Sequence, residues 1–125
     1  MALHIELGNK GEEKAALYLS EKGYTIICTN WRNDKAEADI IAQKGNIIVI
    51  VEVKTRSTAF FGSPAEAVGK QKQIMMVKAA EAYLEKNKLD AEVRYDVVSI
   101  VMNDSTETIE HIEEAFYPFS NLLDE

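Results

Sequence analysis

The stretch Ala36-Glu37-Ala38-Asp39-Ile40-Ile41-Ala42-Gln43-Lys44-Gly45-Asn46-Ile47-Ile48-Val49-Ile50-Val51-Glu52-Val53-Lys54-Thr55-Arg56 decides the fold. It predicts a β-hairpin, because two runs rich in β-branched residues flank a Lys44-Gly45-Asn46 turn that tolerates positive φ. The second run is apolar on both faces and ends in Glu52 and Lys54, which share one face. Buried charges cost several kcal/mol unless they are paired or bind a metal, so this strand end is a candidate site.

The register of the hairpin predicts a third member of the site. An even loop such as Lys44-Gly45 places Asp39 opposite Ile50, on the face that carries Glu52 and Lys54. Asp39 and Glu52 are then diagonal neighbours, roughly 7 Å apart or somewhat less. Two carboxylates and an ammonium group at one strand end can hold a hard divalent cation and a water beside an anionic substrate.

Length and composition predict a single domain over residues 1–125. The chain is 46% hydrophobic and 28% charged, which is typical of an ordinary globular protein. Its one cysteine, Cys28, excludes a disulfide within the chain. The first residues lack a basic region followed by an apolar core, and no apolar run approaches membrane-spanning length. We therefore expect a cytoplasmic protein that does not bind membranes.

The charge is unevenly distributed. The net charge of −7 argues by itself against a nucleic-acid ligand. Residues 30–80, however, carry eight basic and five acidic side chains, a local balance of +3, while the chain from Tyr95 onward has eight acids and no Lys or Arg. The basic share surrounds the hairpin, so a phosphate ligand is permitted there, and its binding should be weak and salt-sensitive.

A first helix is predicted over residues 8–22, with Asn9 as its N-cap and Gly23 as its stop. Glu12 falls near the centre of the apolar stripe of this helix, where a charge is unexpected. Two interpretations remain open. Glu12 reaches solvent from the first turn, or it points inward to join the carboxylates of the hairpin.

The rest of the chain predicts one more helix and three more strands. The order α-β-β-β-α-β-β implies an α/β fold, a mixed five-stranded sheet with a helix on each side. Segment 55–64 is irregular and is either a mobile flap or a packed loop. The additional elements are expected at 24–30, 70–87, 92–102 and 108–116.

Three further groups of polar side chains have competing interpretations. Lys70 and Lys72 begin the second helix, where a helix N-terminus attracts anions, or they form a solvated face. Asp96 is expected to pair with Arg94, its i,i+2 neighbour on one strand face, rather than to bind a metal. His111 is expected to be a cross-strand surface residue rather than a catalytic base.

These residues resemble the PD-(D/E)xK nuclease superfamily, through Gly8 and Gly11-Glu12 in a first helix, Glu37-Ala38-Asp39 in a strand, Glu52-Val53-Lys54 in the next strand and Lys72 in a second helix. The chain resembles more closely the small bacterial YraN-like family, which is related to archaeal Holliday-junction resolvases. The likeness covers nearly the whole chain. Its other segments are Ala16, Tyr18-Leu19, Gly23-Tyr24, Asn30-Trp31-Arg32, Asp39-Ile40-Ile41-Ala42, Val51 to Arg56, Gly62-Ser63-Pro64 and Arg94-Tyr95-Asp96-Val97-Val98.

The resemblance implies a restriction-endonuclease-like fold and a metal-dependent endonuclease that hydrolyses phosphodiester bonds of DNA, with branched or Holliday-junction DNA as a candidate substrate. Because the resolvases are dimers, it also implies a homodimer as a candidate assembly. The implied roles are Mg²⁺ or Mn²⁺ ligation by Asp39 and Glu52, activation of the attacking water by Lys54, support of the site directly or through water by Glu12, and contacts to the phosphate backbone from Arg56, Lys70 and Lys72.

Two other functions are compatible with the same residues. The first is a catalytically silent nucleic-acid-binding or protein-interaction module with the nuclease fold. The second is a purely structural cluster in which Glu12, Asp39, Glu52 and Lys54 neutralise one another. Removing a carboxylate should destabilise a structural cluster by several kcal/mol, whereas a metal site without its metal should be unaffected or stabilised.

Overall fold

The computed structural model describes residues 2–57 and 68–118, with side chains from Leu7 onward. Most of the predicted irregular segment 55–64, and the tail from residue 119, lie outside the described residues. The elements in chain order are helix α1 (Ala2–Glu21), strands β1 (Thr25–Asn33), β2 (Ala36–Lys44) and β3 (Ile47–Arg56), helix α2 (Lys70–Asn87), and strands β4 (Glu92–Met102) and β5 (Glu107–Ile112).

The five strands form one mixed sheet in the order β1-β2-β3-β4-β5. β3 and β4 run parallel, and every other neighbouring pair is antiparallel. A parallel pair needs a crossover connection, and the segment that contains α2 provides it. The predicted α/β fold, its element order and its mixed sheet are confirmed.

The two faces of the sheet carry separate apolar cores. On one face α1 packs through Ala15 and Leu19, and on the other α2 packs through Met76 and Ala79. Successive strand residues alternate between these cores, which explains why β3 is apolar at every position from Ile48 to Val51. Buried strand residues of the α1 core include Ile40, Val49 and Val51, and those of the α2 core include Ile41, Ile48 and Ile50.

Helix α1 ends where the sequence predicts and begins earlier. Gly23 has φ 95°. Its N–H donates to the Ser20 carbonyl at 3.1 Å, and the Tyr24 N–H donates to the Leu19 carbonyl at 3.0 Å. This is the Schellman arrangement that ends a helix. The predicted start at residue 8 with an Asn9 cap is wrong, because the helix begins at Ala2. A glycine within a helix costs only about 1 kcal/mol, so the helix continues through residue 8.

The edge strands also differ from their predicted ranges. β1 extends to Asn33 instead of ending at residue 30, because Trp31 still pairs with Ala38, and the chain reverses at Asp34, whose φ is 57°. β5 ends at Ile112 instead of residue 116. There Glu114 takes φ 51° and turns the chain out of the strand.

The hairpin loop has an even length but lies one residue later than predicted. Lys44 pairs with Ile47, which leaves Gly45-Asn46 as the loop, with Gly45 at φ 61°. Ile50 therefore pairs with Ile41, and the predicted pairing of Asp39 with Ile50 is wrong by two residues. Because side chains alternate with a period of two, this shift preserves the predicted face and brings Asp39 level with Glu52.

Candidate functional site

The sheet splits between β2 and β3. Their pairing ends at Ile40 and Val51, yet β2 stays paired with β1 as far as Ala36 and β3 stays paired with β4 as far as Arg56. We call the opening the fork, formed by residues 36–39 of β2 and 52–56 of β3. At its apex, Asp39 Oδ2 accepts a hydrogen bond from the Val53 N–H at 2.8 Å. A side chain thus takes a backbone donor of β3 at the point where the strand pairing ends.

Glu52 lies in the fork with only 5% of its surface exposed. Its carboxyl group is within hydrogen-bonding reach of that of Asp39. Lys54 Nζ lies 3.3 Å from Oε2, and Lys72 Nζ lies 3.2 Å from Oε1. Oε1 is buried, and Lys72 contacts it as an ion pair without good hydrogen-bond geometry.

The surroundings of Glu52 disfavour its ionised form. Burial and the neighbouring Asp39 raise the pKa of Glu52 to about 7, against the opposing effect of Lys72 and Lys54. Glu52 therefore retains its proton to a higher pH than an isolated glutamate would. A divalent cation would relieve the repulsion between the two carboxyl groups, and it would compete with Lys72 for the buried Oε1 of Glu52.

Lys72 belongs to the carboxylate cluster rather than to an open surface. Its Nζ also lies 2.9 Å from Glu37 Oε1, and Arg32 Nε lies 3.9 Å from Glu37 Oε2. Burial would lower the pKa of Lys72, but the hydrogen bond with Glu37 and the charge of Glu52 raise it. The sequence-based site did not include Glu37, although its position two residues before Asp39 in one strand is a signal that could have identified it.

Helix α1 brings Glu12 to the fork through a close contact at Gly11. A Cβ atom on Gly11 would lie 1.9 Å from Thr55 Oγ1 and 2.9 Å from Thr55 Cβ, so only glycine allows α1 to approach β3 so closely here. The next residue, Glu12, is partly buried, and its pKa is raised by burial and by the charge of Asp39. Of the two interpretations of Glu12, the structure favours the one that directs it to the hairpin.

The fork offers two carboxylates to a metal. Within residues 7–57 and 68–118, no three His, Cys, Asp or Glu side chains lie close enough together to hold an ion. Mg²⁺ commonly binds through one or two carboxylates and completes its octahedron with water and substrate phosphate. Asp39 and Glu52 fit this mode of binding, and Glu12 fits a role through water.

The other predicted phosphate contacts lie around the fork. Arg56 is the last residue of β3, four positions beyond Glu52, and it is partly buried. Lys70 is the exposed first residue of α2, two positions before Lys72. The first turn of α2 contains no acidic residue, and its N-cap, Gly69, makes no side-chain capping bond. The helix dipole therefore places partial positive charge near the carboxylates.

A second buried carboxylate, Asp96, lies one strand away and is fully hydrogen-bonded. Arg94 donates to both of its oxygens at 2.9 and 2.8 Å, the Glu114 N–H donates at 3.1 Å, and His111 Nε2 lies 2.7 Å from Oδ2. We call Tyr24, Arg94, Asp96 and His111 the Asp96 network, because Arg94 also donates to the Tyr24 hydroxyl. The predicted pairing of Asp96 with Arg94 is confirmed.

The prediction that His111 is a surface residue is wrong. Its side chain is only 7% exposed, and its ring makes edge contacts with Tyr18 and Tyr24 at 5.8 and 5.7 Å between centroids. The alternation of β5 gave no indication of this, because the residues that contact the ring, Tyr18 of α1 and Tyr24 just before β1, are distant in sequence.

Comparison with known proteins places the chain in a family. Residues 11–100 match the model of the uncharacterised protein family UPF0102. The chain belongs to this family. A UPF0102 protein of Christiangramia forsetii is 52% identical over 120 residues, which cover 95% of this chain and all of the relative. A UPF0102 protein of Flavobacterium psychrophilum is 50% identical over 119 residues, which cover 95% of this chain and all of the relative. A UPF0102 protein of Phocaeicola vulgatus is 47% identical over 118 residues, which cover 94% of this chain and 98% of the relative.

The predicted site residues of this UPF0102 protein, from Glu12 to Lys72, all lie in the matched range, whereas His111 lies beyond it. In the described part of the chain, neither helix is long and apolar enough to cross a membrane.

Proposed function

We propose that this UPF0102 protein is a cytoplasmic, metal-dependent endodeoxyribonuclease that acts on branched DNA. The observation that supports the proposal most strongly is the buried Glu52 carboxyl group, which lies beside Asp39 at the fork and whose pKa is raised to about 7. Perturbed carboxyl groups in a cleft are typical of functional sites. The basic balance of residues 30–80 supports an anionic substrate.

Each side chain of the fork has a role in phosphodiester hydrolysis. Asp39 and Glu52 would hold Mg²⁺ or Mn²⁺, which when bound supplies charge neutralisation and lowers the pKa of a coordinated water. Lys54, at 30% side-chain exposure, can orient the attacking water through its ammonium group and stabilise the hydroxide that forms from it. Arg56, Lys70 and Lys72 would hold the phosphates, with Lys72 bridging the substrate and Glu37.

The choice of branched DNA rests on the resemblance to resolvases and on the way in which the fold presents its basic groups. Both helices pack their apolar sides against the sheet, and the contacts proposed for Arg56, Lys70 and Lys72 are with phosphates rather than with base edges. Backbone contacts position a protein on DNA without reading sequence. We therefore expect recognition of DNA shape rather than of base sequence.

The test is a titration of the full chain with Mg²⁺ and Mn²⁺, followed by nicking of a four-way junction and of a linear duplex of the same sequence. We expect cation-dependent nicking, faster on the junction. Asp39→Asn should reduce it at least about 100-fold, because a metal ligand is lost. Asparagine still offers an oxygen to the Val53 N–H, so the fold should persist, as circular dichroism can verify.

The matched control is Asp34→Asn, which removes an exposed carboxylate at the β1–β2 turn and retains a residue that tolerates positive φ. It should nick at the rate of the unmodified protein. Nicking that persists in Asp39→Asn would reject the assigned site, and an unmodified protein that nicks neither DNA with either cation would reject the nuclease.

A binding module that does not cut DNA is the second candidate. It is favoured by the two-carboxylate fork, since no third metal ligand lies close among the described side chains, and by the two lysines that contact Glu52. Such a module would retard a four-way junction in a gel without cation-dependent nicking. Its retardation would be insensitive to Asp39→Asn.

A further inference from the structure

Asn30 has an unusual backbone in the middle of β1. Its φ is 51°, whereas the strand continues on both sides of it. Thr29 pairs with Ile40 and Trp31 pairs with Ala38, so Asn30 lies level with Asp39 at the fork. A residue other than glycine in this conformation carries strain that the surrounding structure must maintain.

The Asn30 side-chain amide lies within hydrogen-bonding reach of the Glu12 carboxyl group, and this contact lowers the pKa of Glu12 against the effect of burial. A carboxylate can only accept, so the Asn30 amide is the donor. Asn30 and Glu12 both line an open groove of about 500 Å³ between α1 and β1, and Asn30 is itself exposed. The bond therefore fixes a carboxylate at the rim of the fork rather than stabilising a core.

We propose that Asn30 is a positioning residue, whose side-chain amide holds the Glu12 carboxylate towards Asp39 so that Glu12 can accept hydrogen bonds from the water shell of a divalent cation bound at the fork. The proposal rests on the proposed function. Residues that orient the partners of a metal commonly change its affinity about 10- to 100-fold when they are removed.

The positive φ of Asn30 allows a positioning role to be distinguished from a purely structural one. If Asn30 only shaped the strand, glycine would serve better, because it adopts positive φ without strain. Asn30→Gly should therefore leave the Tm of the metal-free protein unchanged or raise it, while the affinity for Mn²⁺ falls about tenfold. Loss of affinity without loss of stability is the result that a structural role would not give.

The experiment is calorimetric titration of the full chain with Mn²⁺. The variants are Asn30→Gly, Glu12→Gln, the double variant, and Asp34→Gly as the control. Asp34 also has positive φ, at 57°, but lies exposed in the β1–β2 turn. Because Asn30 acts through Glu12, Asn30→Gly should cause no further loss of affinity in the Glu12→Gln background. Asp34→Gly should bind Mn²⁺ as the unmodified protein does.

Nicking kinetics provide a second readout. Asn30 contacts no phosphate in this assignment, so Asn30→Gly should lower kcat about tenfold and leave KM for the junction unchanged. Unchanged Mn²⁺ affinity in Asn30→Gly, or an equal loss with and without Glu12, would overturn the role of Asn30. If the unmodified protein binds Mn²⁺ but cuts no DNA, the nuclease proposal is rejected, and calorimetry still decides the role of Asn30. If the unmodified protein binds no Mn²⁺, both proposals are overturned.

Discussion

The fork and the Asp96 network each bury a carboxylate beside basic side chains, and they differ in how those carboxylates are satisfied. The two regions are close, since Val51, the residue before Glu52, pairs with Asp96. Burial alone would raise the pKa of Asp96, but hydrogen bonds with His111, Arg94 and the Glu114 N–H hold it below its ordinary value. Burial and Asp39 instead raise the pKa of Glu52 to about 7.

This difference fits a structural role for Asp96 and the proposed ligand-binding role for Glu52. Of the four hydrogen bonds of Asp96, two come from Arg94 within β4, and those with His111 and the Glu114 N–H join β4 to β5 and to the turn that follows β5. Buried polar groups normally have such partners. Glu52 contacts two lysines as ion pairs, and its buried Oε1 makes no hydrogen bond of good geometry. The proposed ligand site at the fork would account for this less complete satisfaction beside a second carboxylate.

The largest expected effect is the loss of stability when Asp96 is replaced. Asp96→Asn leaves the largely buried Arg94 without its bidentate partner, so we expect a loss of about 3–5 kcal/mol in the free energy of unfolding at pH 7, measured by urea denaturation. Glu113→Gln is the matched control. It removes the exposed partner of the same arginine, at 3.1 Å, and should cost less than about 1 kcal/mol. Equal effects of the two variants would show that the network is not a structural centre.

Glu52→Gln should instead increase the free energy of unfolding of the metal-free protein. Because the folded-state pKa of Glu52 is raised, the folded protein binds more protons than the unfolded chain between about pH 4.5 and 7, and stability falls as the pH rises through this window. The metal-free variant should be more stable than the unmodified protein by up to about 3 kcal/mol at pH 8, and by less than about 1 kcal/mol at pH 5. Urea denaturation at both pH values measures this, and destabilisation at pH 8 would favour the purely structural cluster.

The smallest effect is expected at the contact that brings α1 to the fork. Gly11→Ala places a methyl group against Thr55, and the overlap with its Cβ cannot be relieved by rotation of the Thr55 side chain. We expect a loss of about 1–2 kcal/mol, since overpacking costs about 1–3 kcal/mol and the better helix propensity of alanine returns up to about 1 kcal/mol.

Gly8→Ala is the control in the same helix. A Cβ atom on Gly8 has no neighbour within 4 Å, so this variant should be neutral or slightly stabilised. Thermal denaturation of both variants tests whether close packing at Gly11 seats the helix. Equal Tm values for the two alanine variants would contradict that account.

The sequence by itself determined the order of the helices and strands, and which polar side chains share one face of a strand. Alternation places Glu52 and Lys54 on one face whatever the rest of the fold does, and an even hairpin loop fixes the face of Asp39 even when the loop shifts by one residue. The run of apolar residues before Glu52 required cover on both faces, which α1 and α2 provide. These are local rules of periodicity, so they can be read from one segment at a time.

Only the tertiary structure decided which side chains meet at the fork. The separation of β2 from β3, the seating of Gly11 on Thr55 and the burial of His111 depend on segments distant in sequence. Solvent access and the pKa of Glu52 follow from that assembly, because desolvation and nearby charges depend on every group packed around a carboxylate, not on its neighbours in the chain.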